Sequence, residues 1–494
     1  MAKAKLKTKT KSNKSDASLL GLSQNYIAQY GKFVIEQRAV PDFRDGLKPV
    51  QRRILWASRR MSPPLKYNGE YKKAARLVGD TMGKYHPHGD SSIYAAMVDM
   101  AAPHCTVPMI DGQGNWGTIT ENAAAYRYTE CRPTKYADTC LMPSEYMNIT
   151  NYIPNYDGAD EEPVYFPALY PNLLLNGVFG IAVGVTAGIP PLHIDGLMHM
   201  IEMVIADKTI TPKIATKYLR FNYPYKPHCT SIDDDIMEWL TTGRGSLVFS
   251  PTVTVDEDKK MMIVTNLPNF FNWDTIIKRL SQKKFDRVVA MPVDMSDKRN
   301  RGVPTFGVKF KTTVSRDDVH DAAKLVAPVF DITARMSTVY NIRHADESVD
   351  FKTSTLGELI TRWTYYRVDL EKRFQQYQMD KLSEAIAQQE LMMLAVANKK
   401  IIMQSLDQVD PAKVLVTKLK ISLEQANYIL DKQIRSLSRM SGDEIRHKIT
   451  ELSSASKTAK KHFNNPEPKV LADMNAGLKL VETPTLPIKN RRAK

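Results

Sequence analysis

Apolar positions in the first hundred residues recur at helical spacing, interrupted by short turns. Ile27, Tyr30, Phe33 and Val34 predict a first helix over Ser23 to Glu36. Pro41 and Gly46 then open a loop, and Pro49 stands where a second helix can begin, continuing through Ile54, Leu55 and Trp56. Ala74, Ala75, Leu77 and Val78 predict a helix over Lys72 to Met82, stopped by Gly83. After the turn Lys84-Tyr-His-Pro-His-Gly89, Asp90 reads as the cap of a helix running through Ile93, Met97 and Met100.

Further along, the pattern changes twice. Residues 166–185 are apolar, β-branched and punctuated by glycine, as core strands meeting a bend would be. Alternating stretches such as Ser246 to Val255 and Phe306 to Lys311, set among helices, make residues 195–350 an α+β region. From Leu356 the text becomes long, charged and helical through Leu370, Phe374, Tyr377, Leu382, Ile386, Leu391 and Leu394. It breaks between Asp407 and Pro411 and resumes from Ser422 to Phe463, predicting an antiparallel coiled-coil arm with a small tip. The apolar stretch Ala426 to Ile434 suits self-association, and the prolines and basic residues after Asn464 read as a flexible tail.

At 494 residues the chain is too long for one core, so three or more units are expected. A net charge of +15 points to an extended anionic partner, nucleic acid or an acidic membrane face. No run of about twenty apolar residues is present to span a bilayer. The four cysteines, Cys105, Cys131, Cys140 and Cys229, form no CxxC pair, which fits a reducing compartment and argues against a zinc site. The lysine-rich start lacks an apolar segment behind it and reads as a basic arm rather than a signal peptide.

In this basic setting, helix, short turn and helix outline a helix-turn-helix DNA reader, with Ser91 and Ser92 at the exposed head of the second helix. Arg44, Lys48, Arg52 and Arg53 gather as a basic patch before it. His86-x-His88-x-Asp90 offers metal ligands, but no third histidine or cysteine lies in register, and a turn whose imidazoles bind phosphate is the preferred reading. The glycine-rich loop Asp111 to Thr118 lacks the lysine and spacing of a nucleotide-binding loop. It leads into Ala123-Ala-Ala-Tyr-Arg-Tyr-Thr-Glu-Cys-Arg132, where two tyrosines flank an arginine. A phenol ionises near pH 10 without help, and a neighbouring guanidinium both favours the phenolate and binds phosphate oxygens. Tyr-Arg-Tyr is therefore suited to attack on a phosphodiester. For Ile181, composition alone favours burial.

Four of these segments, in order and spacing, resemble the breakage-and-rejoining subunit of type IIA DNA topoisomerases: Pro41 to Arg53, Lys84 to Asp90, Ala123 to Arg132, and Gly180-Ile-Ala-Val-Gly184. That family includes the A subunits of gyrase and topoisomerase IV and the medium subunit of T4-like phage topoisomerase, which this short chain most resembles. The resemblance extends over about residues 20–465.

It implies an α+β multidomain fold: a basic arm at 1–22, a winged-helix cleavage domain at 23–150, an α/β tower domain at 151–350, a coiled-coil and dimerisation region at 351–465, and a flexible basic tail at 466–494. It implies that Tyr128 forms a transient 5′-phosphotyrosyl link, with Arg127 and Arg44 acting on the scissile phosphate. Tyr126 holds a position that is usually apolar in the family, so attack falls to Tyr128. Lys48, Arg52, Arg53, His86, His88 and Ser91 are implied as DNA contacts, and Ile181 as the side chain that kinks the duplex. Mg2+ and ATP are expected on a partner subunit, since no acidic cluster is evident here. That partner is an ATPase/TOPRIM-type subunit in a heterotetramer, with this chain a homodimer through the coiled-coil tip and the winged-helix domain. Without a DNA-wrapping domain, relaxation and decatenation are expected. The setting is the bacterial cytoplasm, or infected host cytoplasm for a bacteriophage chain. The alternatives are an architectural DNA-bending clamp on the same scaffold and, more distantly, a self-contained nuclease.

Overall fold

The computed structural model describes residues 26, 30–31, 38–101, 104–119, 121–182, 185–268, 273–296, 304–346, 348–431 and 442–481. Helix α1 spans Pro49–Arg60, with Pro49 in its first turn and the Lys48 amide bonded to Gln51 Oε1 at 3.0 Å. Proline suits this place because its missing N–H has no partner in a first turn. Helix α2 spans Ala74–Lys84 and α3 spans Asp90–Asp99. Asp90 is the first residue of α3 rather than its cap, which is Gly89, and α2 runs one residue past Gly83. The first helix expected over Ser23 to Glu36 lies mostly outside the described residues, as does the basic arm; Tyr26, Tyr30 and Gly31 are helical.

A three-stranded antiparallel sheet flanks these helices. Its strands are β1 (Lys72–Lys73), β2 (Ile110–Gln113) and β3 (Glu130–Pro133), with β3 in the centre. Gly112 lies opposite Cys131, and a Cβ at Gly112 would come within 2.4 Å of the Trp116 indole, so only glycine lets that ring close over the sheet. Trp116, Leu77, Ile93, Met97 and Cys131 belong to the main core.

Two larger antiparallel sheets follow. The first orders Val178–Ala182, Val185–Ile189, Ile332–Ser337, Arg244–Ser250 and His228–Cys229. The second orders Thr252–Asp256, Met261–Thr265, Phe306–Phe310 and Val289–Asp294 around a separate core of Val264, Phe306 and Phe330. The alternating stretches near 246–255 and 306–311 are thus strands.

Helix α4, Leu356–Ala397, starts on a capping box in which the Thr355 side chain and the Glu358 side chain each accept the other's backbone N–H. At 42 residues it is roughly 60 Å long. Helix α5, Gly442–Asn464, returns along it: Ile445 shares a tip cluster with Leu391 and Met392, while Asp473, beyond α5, reaches back to Arg367. The returning segment is not one helix from Ser422, because a short helix ends at Leu430; the rest of the stretch expected to self-associate, beyond Asp431, lies outside the described residues. Ala426 and Ile429 are spent inside the chain's own tip cluster.

The flexible tail is corrected over most of its described part. Residues Glu467–Val481 form α6, whose Val470, Met474 and Val481 are buried in the main core, and the Tyr170 hydroxyl donates to the Met474 carbonyl. Three apolar side chains at helical spacing found a matching surface on the core, which outweighed the proline and charge signal around them.

Candidate active site

The tyrosine segment is a turn pinned from two helices. The amides of Ala74 and Ala75, at the head of α2, donate to the carbonyls of Thr129 and Tyr126 at 2.9 and 3.1 Å. These are N–H groups that a helix cannot satisfy internally. From α3, the Tyr94 hydroxyl donates to the Ala124 carbonyl at 2.7 Å and lies 2.9 Å from Thr129 Oγ1. The Tyr128 amide closes the turn onto the Ala125 carbonyl at 2.9 Å.

The two tyrosines have different surroundings. Tyr126 donates its hydroxyl to Asp90 Oδ2 at 2.6 Å, and its ring meets that of Tyr94 edge-on at 5.7 Å. The bond to Asp90 raises the Tyr126 phenol and lowers the Asp90 carboxyl from their ordinary values. Tyr128 is 65% exposed, with the Arg127 guanidinium over its ring at 4.7 Å. Hydrogen bonding to Tyr128 holds the exposed Arg127 above its ordinary value. The arrangement presents one hydroxyl and one cation together to an external anion.

The basic patch divides. His88, Ser91 and Ile181 remain at the surface, Ile181 at 69% exposure, and Lys48 is half-buried. Ile181 sits on the strand Val178–Ala182 opposite Thr186, and Lys48 Nζ donates to the neighbouring Phe179 carbonyl at 2.9 Å. Gly180 lets the Ala39 backbone pack against this strand, since a Cβ there would lie 2.2 Å from the Ala39 carbonyl oxygen. Burial, with the nearby Arg38 charge, lowers Lys48 against the opposing pull of Asp99.

Four other expected contacts are committed internally. Arg44 is bound to Asp42 at 2.6 and 2.8 Å and to the Arg343 carbonyl, and lies 3.6 Å over the Tyr165 ring. Burial alone would depress Arg44, but Asp42 lifts it above its ordinary value. Arg52 is buried against Asp45 at 2.6 and 2.9 Å. Arg53 forks onto Glu162 at 2.7 Å through Nε and Nη2, and its Nη1 contacts His86 Nδ1 at 3.1 Å. His86 itself is buried, and burial, then Arg53 and His88, push it down to about 3. Arg44, Arg52, Arg53 and His86, expected to meet phosphate, thus each have an internal partner for their charge or ring nitrogen. Arg38 is an exposed cation that the sequence pattern does not single out; its signal is its place beside the Ala39-Val-Pro-Asp run.

Among the described residues no group of three or more His, Cys, Asp or Glu side chains could hold a metal ion. His86 faces a guanidinium and Asp90 accepts a phenol hydrogen, so the His86-x-His88-x-Asp90 turn does not suit a cation. No helix among the described residues is long and apolar enough to cross a membrane.

Residues 38–474 match the family model for the A subunit of DNA gyrase/topoisomerase IV. The chain is 32% identical over 438 residues to the A subunit of DNA topoisomerase 4 from Salmonella typhimurium, covering 87% of this chain and 57% of that protein. It is 31% identical over 449 residues to the DNA gyrase A subunit of Aminobacterium colombiense, covering 89% and 54%. The gyrase A subunit of Staphylococcus aureus is 33% identical over 436 residues, covering 86% and 48%. The chain thus spans about half the length of the curated relatives it matches.

Proposed function

The chain belongs to the A-subunit family of DNA gyrase and topoisomerase IV, and on that premise we propose that it is the DNA-binding, breakage and rejoining subunit of an ATP-dependent type II topoisomerase. Tyr128 Oη attacks a backbone phosphorus: the tyrosyl O–P bond forms, the P–O3′ bond breaks, and the proton lost by the phenol ends on the freed 3′ hydroxyl. One phosphodiester replaces another, so the reverse step reseals the strand without added energy. Arg127 offsets charge on the phosphoryl oxygens. Lys48, His88, Ser91 and Arg38 hold flanking phosphates, which position the duplex without reading its sequence. Ile181 enters between base steps and bends the duplex. The observation that carries this reading is the exposed Tyr128 hydroxyl with Arg127 beside it, on a turn pinned to both helices.

In this reading, α2, α3 and the three-stranded sheet form a winged-helix unit, the larger sheets a tower, and α4 with α5 a coiled-coil arm. The arm tip leaves Met403, Leu406, Val409 and Leu423 exposed, an apolar surface suited to a second copy of the chain. Two copies put two nucleophiles on opposite strands, and a second duplex passes between them, so the complex relaxes and decatenates DNA in the cytoplasm. Mg2+ and ATP belong to an ATPase/TOPRIM-type partner subunit completing a heterotetramer.

The test mixes the chain, its partner subunit, Mg2+ and supercoiled plasmid, then denatures the mixture. Protein is expected on 5′ ends, and Tyr128→Phe abolishes the adduct while DNA binding survives. Bent complexes with no adduct under any metal condition would instead establish an architectural clamp.

A further inference from the structure

The Tyr126 side chain reaches out of the turn to the head of α3. Its hydroxyl meets Asp90, the first residue of α3, at 2.6 Å, while its own carbonyl accepts from Ala75 at the head of α2. One residue therefore ties the turn to both helices, two positions before Tyr128. From α2 the turn is held by backbone amides, those of Ala74 and Ala75 on the Thr129 and Tyr126 carbonyls. From α3 it is held by side chains: the Tyr94 hydroxyl on the Ala124 carbonyl and beside Thr129 Oγ1, and the Tyr126 hydroxyl on Asp90.

We propose that Tyr126 and Asp90 form a positioning pair that fixes the tyrosine turn against the DNA-facing head of α3 and holds the Tyr128 hydroxyl in line for attack. This rests on Tyr128 being the nucleophile. Two arguments beyond the distance support it. A carboxylate at the head of a helix that meets phosphates would repel them, and a donated phenol hydrogen draws its charge toward the turn. Asp90 is also held below its ordinary value chiefly by this bond, so the acceptor stays ionised through the neutral range. Tyr126 is half-buried and keeps its edge-on contact with Tyr94 whether or not the hydroxyl is present. Removing that oxygen alters alignment and leaves the ring packing in place.

The experiment measures covalent complex formation at saturating DNA, with Mg2+, the full chain and its partner subunit, alongside DNA affinity measured without metal. Tyr126→Phe and Asp90→Ala are each expected to slow adduct formation about tenfold, since small misplacement of reacting groups is costly. The double variant is expected to be no slower than either single, because the two act through one bond. Asp90→Asn keeps a carbonyl acceptor and returns the rate to within about twofold of the parent. Affinity is unchanged for Tyr126→Phe, and all rates are taken well below each variant's melting temperature. Parent-like rates for Tyr126→Phe, or losses that multiply in the double variant, overturn the pair. If Tyr128→Phe still forms the adduct, the functional reading itself has failed, which is a separate outcome.

Discussion

His86 Nδ1 lies 3.1 Å from the Arg53 guanidinium, which in turn clasps Glu162 through two nitrogens. Burial and that neighbouring charge bring the imidazole from 6.5 down to about 3, so it is neutral wherever DNA is handled. The unfolded chain takes up the proton near 6.5 and the folded chain does not. The stability this group contributes is therefore full above pH 6.5 and is lost as pH falls from there toward 3. Melting curves at pH 7.5, 6 and 5 are expected to show a falling midpoint. His86→Asn, which keeps an acceptor for Arg53, should shrink that fall by roughly a few degrees.

Arg44 is 12% exposed and neutralises the buried Asp42 carboxylate. Arg44→Ala leaves that charge unpaired, and a loss of about 3–5 kcal/mol is expected in denaturant melts. The salt dependence of DNA binding should keep its slope, because the group meets Asp42 and not phosphate. A slope reduced by about one would place Arg44 on the DNA.

Arg127→Ala is expected to slow covalent adduct formation about 10²–10³-fold, the range seen when a group stabilising transition-state charge is removed. Its exposure means that thermal stability should not change. Quench-flow adduct formation and a melting curve on the same sample check both halves.

Ile181→Ala removes an exposed apolar side chain, so folding stability should hold within about 0.5 kcal/mol. The bend angle of bound DNA, read by fluorescence transfer between labelled duplex ends, is expected to fall. Equal bending in parent and variant would remove Ile181 from the mechanism.

Met474 is fully buried although it lies in a stretch that reads as tail. Met474→Ala is expected to cost about 2–5 kcal/mol in unfolding experiments. A cost near zero would return α6 to the solvent.

Much of the site's outward face was legible along the chain. Tyr128 and Arg127 are adjacent, so their proximity needs no fold, whereas composition favoured burial for Ile181, which the fold leaves 69% exposed. The inward face was not legible. Arg53 finds Glu162 more than a hundred positions away, and Arg44 finds the Arg343 carbonyl across most of the chain. A row of basic residues looks the same in sequence whether its charges face phosphate or buried carboxylates.

By itself, the sequence determined what depends on neighbours a few residues apart: the helical and strand periods, the turn between α2 and α3, the long arm, and the pairing of a phenol with a guanidinium. The tertiary structure alone decided which charges are spent inside, which tyrosine is tethered to Asp90 and which is open, and that α6 is core. The physical reason is that burial and ion pairing are settled by distant segments meeting in space. Local spacing carries no record of those meetings.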